Sequence, residues 1–551
     1  MKTATRLLLP LLLLPASPAG AAGLSSDDLA DLLYSNQFTF DHDGVPMVNI
    51  GLMDGQKQVQ FMAPGGLVFS SDIEGGTSMA TPKERVWTAR VKGGKPARLR
   101  YWAVAEQIRP SVPEKVAAAV ALWQARGFPE ATAFELGAVF GFQGEVFDNR
   151  YSVIGVGGQE TPAAAEEVAR DLYARHQVPI SLHEEVVRPP EGHVVVEDQQ
   201  SELVIDSNRV LVAVPADHLT FRVFRVEQGQ GTRWHTFRDR TYRGALILAV
   251  DRQGLLAVAN QVDAERLLAG LVPAETYADA PPEALKAQAI AARGILLSKL
   301  GTRHFADPYL LCSQVHCQVY SGVEREDPRT TRAVAATRGE LLFSPQGLVD
   351  TVYHACSGGH TADNETVWTN LPDPALRGRA DLRSGAAVVA GPDDAATRRF
   401  LTQPPADAFA ALSSRGKGHF RWKVELAAAR IDELVRASHP EVGQVQDLRV
   451  TERASCGRAI RLEILGTRGR VTVHRELPIR QLLGGLKSGL FVIDVTRGPD
   501  GRPTSYLFTG GGFGHGVGMC QVGAIGRAEA GQDYRTILGH YYNGAEVRKI
   551  Y

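Results

Sequence analysis

Between residues 98 and 188 the hydrophobic pattern switches repeatedly between strand-like and helix-like spacing, and this constrains the fold more than any other feature of the chain. "LRYWAVAEQ" reads as a strand, and "VPEKVAAAVALWQARGF" has helical spacing that stops near Gly127-Phe128-Pro129. "FELGAVFG" and "YSVIGVGG" read as strands. "TPAAAEEVARDLYARHQ" is a second helix opened by Thr161-Pro162, and "VPISLHEEV" supplies a last strand. The order β-α-β-β-α-β predicts a small split-βαβ, ferredoxin-like module over 98–188.

The flanks follow a different rule. Residues 24–95 carry the strand-like runs "VPMVNIGL" and "KQVQFMAPGGLVF" and no catalytic cluster. Strand-like runs return from about 195 in "HVVVED", "ELVIDSNRVLVAV", "LTFRVFRV" and "GALILAV". "GLLAVANQVDAERLLAGLVPAE" then passes from strand to helix, and "ALKAQAIAARGILLSKL" has the composition of a helix interrupted only by Gly294. The reading is a multidomain α+β chain: a β-rich region 24–95, the module 98–188, and a mixed α+β part 195–551 whose motifs begin near 240. Charged residues are 22% of the 551 and the formal net charge is −1, so a nucleic-acid partner is not expected.

The first residues read as an address. Lys2 and Arg6 precede the apolar run from Leu7 to Leu14, and Ala19-Gly20-Ala21 offers small residues for cleavage. Residues 1–21 are therefore expected to be a secretory signal peptide. Pro10, Pro15 and Pro18 argue against a buried helix there. No later apolar run approaches the roughly 20 residues that span a bilayer. The mature protein is expected to be secreted or periplasmic, without a membrane span, in an oxidising space.

Two resemblances follow from these segments. The 98–188 layout resembles the sporulation-related repeat, which implies glycan binding; an unrelated α+β spacer is the alternative. The runs "GLVPAE…EALKAQAIAAR", "CSQVHCQVYSGV", "TRGELL…VDTVYHACSGGHTADNETVW", "IRQLLGGLKSGLF", "GGFGHGVGMCQVGAIGRAEAG" and "ILGHYYNGA", in this order over about 240–551, resemble the stage II sporulation protein D (SpoIID/LytB) family. That resemblance implies action on peptidoglycan glycan strands. The implied activity is either a lytic transglycosylase that cuts peptide-free strands to leave 1,6-anhydro ends, or a non-catalytic glycan binder that enhances a cell-wall amidase.

The family's catalytic glutamate lies in an Ala-Glu-Met-Pro-like run before a helix. Here the run is Pro273-Ala274-Glu275-Thr276-Tyr277, so Glu275 matches and the next two positions do not. Glu283 is the rival carboxylate, at a helix start where an acid favours the macrodipole. Ordinary glycosidases need two carboxyl groups. A lytic transglycosylase uses the sugar's own 6-hydroxyl as nucleophile, so one group can donate a proton and later take one back. Such an acid must hold its proton near neutral pH, as a desolvated carboxyl does.

Cys312, His316 and Cys317 fall within six positions and His304 precedes them by eight; the four form a candidate zinc set. The resemblance implies the same, since the family includes a type with zinc held by two histidines and two cysteines. A Cys312–Cys317 disulfide and free thiols are the alternatives. Cys356 and Cys520 sit in the two glycine-rich motifs and could bridge them, leaving Cys456 over; alternatively both are buried small apolar groups. "GGGFGHGVGMCQ" has glycine at 510, 511, 512, 514, 516 and 518, with no following lysine-serine/threonine pair to make a P-loop. His515 and Gln521 are candidate sugar contacts or acid–base partners, with a structural histidine as the alternative. Arg293, Tyr353, Ser357, Gly358 and Thr361 are further candidates for the substrate cleft. Ser357 lacks the Gly-x-Ser-x-Gly elbow of a nucleophile. No His-Glu-x-x-His run supports a zinc peptidase.

Overall fold

The computed structural model describes residues 26–35, 39–70, 78–142, 145–176, 178–229, 235–368, 371–386 and 391–551. The signal-peptide reading at 1–21 lies outside these residues. The protein is a mixed α+β chain with several sheets. Among the described residues no helix is long and apolar enough to cross a membrane.

The strand pairing joins what the sequence reading kept apart. Pro46–Gln56 pairs with Leu256–Asp263 in one sheet, while Val86–Lys95 pairs with both Gln58–Met62 and Glu191–Asp198 in another. Residues before 95 and after 191 thus build the same two sheets, which share one core. Phe61, Trp87, Val194 and Phe221 from one sheet meet Ile50, Phe69, Leu211 and Val258 from the other. The run Ala245–Val250 is buried at every position because both its faces are covered. Leu246, Leu248 and Val250 face the shared core; Ala245, Ile247 and Ala249 face the helix Ser26–Leu33 and Tyr309. Period-2 alternation is lost in such a strand, as expected for one covered on both sides.

The module 98–188 is inserted between two adjacent strands, Val86–Lys95 and Glu191–Asp198, which meet at Glu191 and Lys95. Its sheet runs Leu182–Arg188, Arg98–Ile108, Tyr151–Gln159, Thr132–Leu136, all antiparallel, and the helices Pro113–Ala125 and Pro162–His176 cover one face. This is the ferredoxin-like order. The run "FELGAVFG" is not one strand. It breaks at Gly137 (φ +94°), where a Cβ would meet Asn149 O at 2.7 Å, and a hairpin Val139–Phe142/Glu145–Asp148 follows. Phe140 and Phe147 of that hairpin are buried in the main core, against Phe343. Asn149 Nδ2 donates to the carbonyls of Leu297, Ser298 and Leu300, groups that a helix end leaves unpaired.

The helix Pro282–Ser298 lies between two cores. Ala289, Ala292, Leu296 and Leu297 belong to the sheet core, and Ala287, Ile290 and Ala291 to a second core with Cys356, Met519, Cys520 and Ile537. Residues 421–511 add a third core between the sheets of Arg421–Ala427 and Val445–Arg453. Gly294 has a packing cause: a Cβ there would lie 2.1 Å from Thr351 Oγ1, whose hydroxyl donates to Ala291 O at 2.7 Å. Gly294→Ala should therefore destabilise the protein by about 1–3 kcal/mol in urea unfolding, despite alanine's better helix propensity. Adding Thr351→Ala should restore part of that loss; an alanine that stabilises the parent on its own would show that the contact is not tight.

Candidate functional site

Glu275 is the last residue of the helix Ala264–Glu275, which Asp263 caps by accepting from Arg266 N at 2.9 Å. Pro273 sits in the final turn, Thr276 turns extended, and the next helix starts at Pro282. The carboxylate is half-buried and accepts the Val319 N–H at 2.5 Å. The Tyr353 hydroxyl also bonds it and accepts from Gln318 Nε2 at 3.1 Å. Burial raises the Glu275 pKa above the ordinary carboxylate value; the bonds from Val319 and Tyr353 oppose it without cancelling it. Burial likewise lifts the Tyr353 phenol well above its usual range, so it remains a donor. The result is a desolvated carboxyl at a chain reversal, able to hold a proton where an exposed glutamate would have lost it.

Gln521 reaches this centre through the backbone. Its Nε2 donates to Glu275 O at 2.8 Å and to Gln288 Oε1 at 3.2 Å, which pins the end of the helix. His515 lies beside it in a structural role. Nε2 bonds Tyr353 O at 2.9 Å, Nδ1 accepts from Val517 N at 3.1 Å, and the ring packs on Trp368. Burial lowers its pKa to about 4, so it is neutral at pH 7. Glu283 is engaged elsewhere, with Lys286 Nζ at 2.7 Å and Tyr534 N at 2.9 Å. Of the two carboxylates weighed in the sequence, Glu275 is the one bonded by Tyr353 and, through its backbone, by Gln521.

Four expected cleft residues are interior instead. Arg293 is fully buried and forms a bidentate pair with Glu265, Nε–Oε1 2.8 Å and Nη2–Oε2 2.9 Å. Tyr551 OH donates to the same carboxylate at 2.6 Å. Ser357 is fully buried, with Oγ accepting from Gly359 N and its carbonyl from Arg458 Nη2. Thr361 is buried and exchanges bonds with the backbone of Arg379. Gly358 (φ +74°) serves contact between backbones, since a Cβ would lie 2.9 Å from Gly512 N. Ser357, Gly358 and Thr361 share one reason. The two glycine motifs pack on each other, through the parallel pair Tyr353–His354 with Met519–Cys520 and the bridge Cys356–Phe513, rather than face a ligand.

All five cysteines are free thiols. The Cys356–Cys520 bridge is not formed. Both are buried, and Cys520 Sγ accepts from Ser357 N and Gly523 N at 3.1 Å each, capping the helix Gln521–Glu529. Cys456 is also buried.

His304, Cys312, His316 and Cys317 do come together, with one donor atom from each within 4.8 Å of the others. His304 Nε2 is 3.3 Å from Cys317 Sγ, and His316 Nδ1 is 3.6 Å from Cys317 Sγ and 3.8 Å from Cys312 Sγ. Thiolate and imidazole donors about 2.3 and 2.0 Å from a tetrahedral centre lie roughly 3.6 Å apart, so the four fit a zinc ion. Asp307 Oδ2 holds His304 Nδ1 at 2.9 Å, the outer carboxylate that fixes a ligand's tautomer. Leu311–Cys312 pairs in parallel with Ile50–Gly51 of the first sheet, and Tyr309 packs where a Cβ on Gly51 would stand.

Sequence reasoning missed Val319, Gln318, Gln288 and Glu265. The first acts through its backbone N–H and carries no side-chain signal. A buried glutamate facing an arginine 28 residues on cannot be told from any surface pair before the helices are packed.

Arg293→Leu should cost about 3–5 kcal/mol in urea unfolding, because it leaves the Glu265 carboxylate buried without its cation. At temperatures where the variant is folded, glycan binding should equal the parent's. Weaker binding with unchanged stability would return Arg293 to the cleft.

A family model described as stage II sporulation protein matches residues 252–343, and a domain of unknown function matches 362–518. An uncharacterised protein of Brachyspira hyodysenteriae is 26% identical over 325 residues, 59% of this chain and 76% of that one. An amidase enhancer of Bacillus subtilis is 28% identical over 290 residues, 51% of this chain and only 40% of the relative. A stage II sporulation protein D of Bacillus amyloliquefaciens is 26% identical over 302 residues, 52% of this chain and 75% of that one.

Proposed function

We propose that the chain, whose residues 252–343 match the stage II sporulation protein model, is a member of the stage II sporulation protein D family and acts outside the cytoplasm on cell-wall peptidoglycan as a lytic transglycosylase. The observation that carries this reading is Glu275, a desolvated carboxyl with raised pKa held by Val319 N–H and Tyr353. Protonated Glu275 gives its proton to the glycosidic oxygen between N-acetylmuramic acid and N-acetylglucosamine as the C1–O bond breaks. The carboxylate so formed takes the proton of the same muramoyl residue's 6-hydroxyl while that oxygen bonds to C1. A 1,6-anhydro end results, no water is consumed, and Glu275 regains its starting state. Tyr353 and Val319 hold the carboxylate; Gln521 holds its backbone.

His304, Cys312, His316 and Cys317 would hold one zinc ion, with no ligand position left open, so its contribution is structural. The segment it would tie down continues directly through Gln318 and Val319 to Glu275, which couples order in the loop to the placement of the acid.

A second reading has its own support in the amidase-enhancer relative: the chain binds glycan strands and stimulates a cell-wall amidase without cutting. Purified protein incubated with peptide-free glycan separates the two. Anhydro ends detected by mass spectrometry support cleavage, and unchanged glycan with a faster partner amidase supports the enhancer.

Glu275→Gln should lower anhydro-product formation by about 10⁴-fold, the upper part of what acid–base assistance supplies, with glycan binding retained. The parent's rate should fall as pH rises through the raised Glu275 pKa, because the proton donor is lost. An ionised carboxyl whose folded pKa is raised opposes folding, so above that pKa the glutamine variant should melt no lower than the parent. A variant within threefold of the parent's rate excludes Glu275 as the acid.

Protein purified without chelator should carry one zinc per chain, lost together with several degrees of melting temperature on Cys317→Ser. Metal-free protein with a mapped Cys312–Cys317 disulfide would replace the zinc site by the bridge.

A further inference from the structure

The segment 362–518, matched by a domain of unknown function, brings to the surroundings of Glu275 groups that the reaction above does not use. Tyr277, two residues beyond Glu275, is 38% exposed, and its hydroxyl meets His419 Nε2 at 3.3 Å. His419 stacks on Phe513 with ring centroids 5.7 Å apart and 27° between planes, and Phe513 is 39% exposed. Arg415 lies over the Tyr277 ring at 4.6 Å and is tied to Asp279, which fixes the ring from one side. Lys487 ends the row. Its carbonyl accepts from Gly514 N at 2.9 Å, and its ammonium donates to Gly418 O at 2.7 Å. No carboxylate of the described residues pairs with that ammonium.

Single exposed apolar side chains are ordinary. A connected row of aromatic rings starting next to a catalytic acid is a different feature, because binding sites combine apolar and aromatic surface with a few placed polar groups. A pyranose ring presents an apolar C–H face to such a ring and hydroxyls at its rim. Burial and the nearby Lys487 charge keep His419 neutral at pH 7, so the ring that links Tyr277 to Phe513 is uncharged.

We propose that Tyr277, His419 and Phe513 form a stacking shelf for consecutive amino-sugar rings of a strand entering the Glu275 site, and that Lys487 binds the lactyl carboxylate of a muramoyl residue lying on it. This deepens the glycan-cleaving reading and rests on it. That carboxylate is free only where no peptide is amide-linked to the sugar.

The test is equilibrium binding by the full chain carrying Glu275→Gln, so that nothing is turned over. The probes are peptide-free GlcNAc–MurNAc oligosaccharides and N-acetylglucosamine oligomers of equal length, which lack the carboxylate. Phe513→Ala should weaken both by roughly fivefold, the order that aromatic stacking adds beyond area. Phe513→Leu keeps apolar volume without the ring face and should lose as much, which guards against a folding defect in the alanine variant. Lys487→Gln should weaken only the carboxylated probe, by roughly fivefold at low salt, and remove most of its salt dependence. Unchanged affinity in both Phe513 variants overturns the shelf. Equal loss on both probes, or no loss, with Lys487→Gln overturns the carboxylate contact. If the Glu275→Gln protein binds neither probe, the glycan reading itself falls, an outcome distinct from a binder indifferent to these residues.

Discussion

The Arg293–Glu265 pair holds the centre of this protein together. Arg293 projects from Pro282–Ser298, the helix that serves two cores, and Glu265 from Ala264–Glu275, the helix that ends at the candidate acid. A buried guanidinium and carboxylate repay their desolvation only when geometry is bidentate and the remaining hydrogen-bonding capacity is used. Here Tyr551 and Gly339 bond the carboxylate, and the carbonyls of Glu340 and Val334 accept from the guanidinium. The pair thereby fixes the register of the two helices, and Gln521 pins the point at which the second one stops.

Everything at the site follows from that stopping point. Gln521 locks the carbonyl of Glu275, and Gln318 and Val319 approach from the loop that carries the four metal-type donors. Tyr353 comes from the strand pair that joins the two glycine motifs. The glycines let backbones touch, with Gly512 and Gly518 at positive φ against the carbonyls of Cys356 and Val352. Their work is to bring Tyr353, His515 and Gln521 together from segments more than 150 residues apart.

The inserted module shows the same economy of contact. It has its own small core, yet its hairpin contributes Phe140 and Phe147 to the main one, and Asn149 completes the end of the central helix. Its position next to the half that carries Glu275 is therefore specified by hydrophobic burial and by carbonyls at a helix end.

Local patterning in the sequence was enough for the helices and the four sheet strands of 98–188, though not for the hairpin after Gly137, and for the buried strand Ala245–Val250, the helix Pro282–Ser298 and the grouping of His304, Cys312, His316 and Cys317, because each depends on short-range periodicity or spacing. The motif run also singled out Glu275 ahead of Glu283, and the structure places Glu275 beside Tyr353 and Gln521. Other features needed the tertiary structure: that residues before 95 and after 191 share sheets, that Arg293, Ser357, Gly358 and Thr361 are interior, and that Cys356 and Cys520 cap rather than bridge. The physical reason is that hydrogen-bond partners and burial are set by residues far away in the chain. A polar side chain in a motif reads the same whether it faces a ligand or another backbone, and only packing tells the two apart.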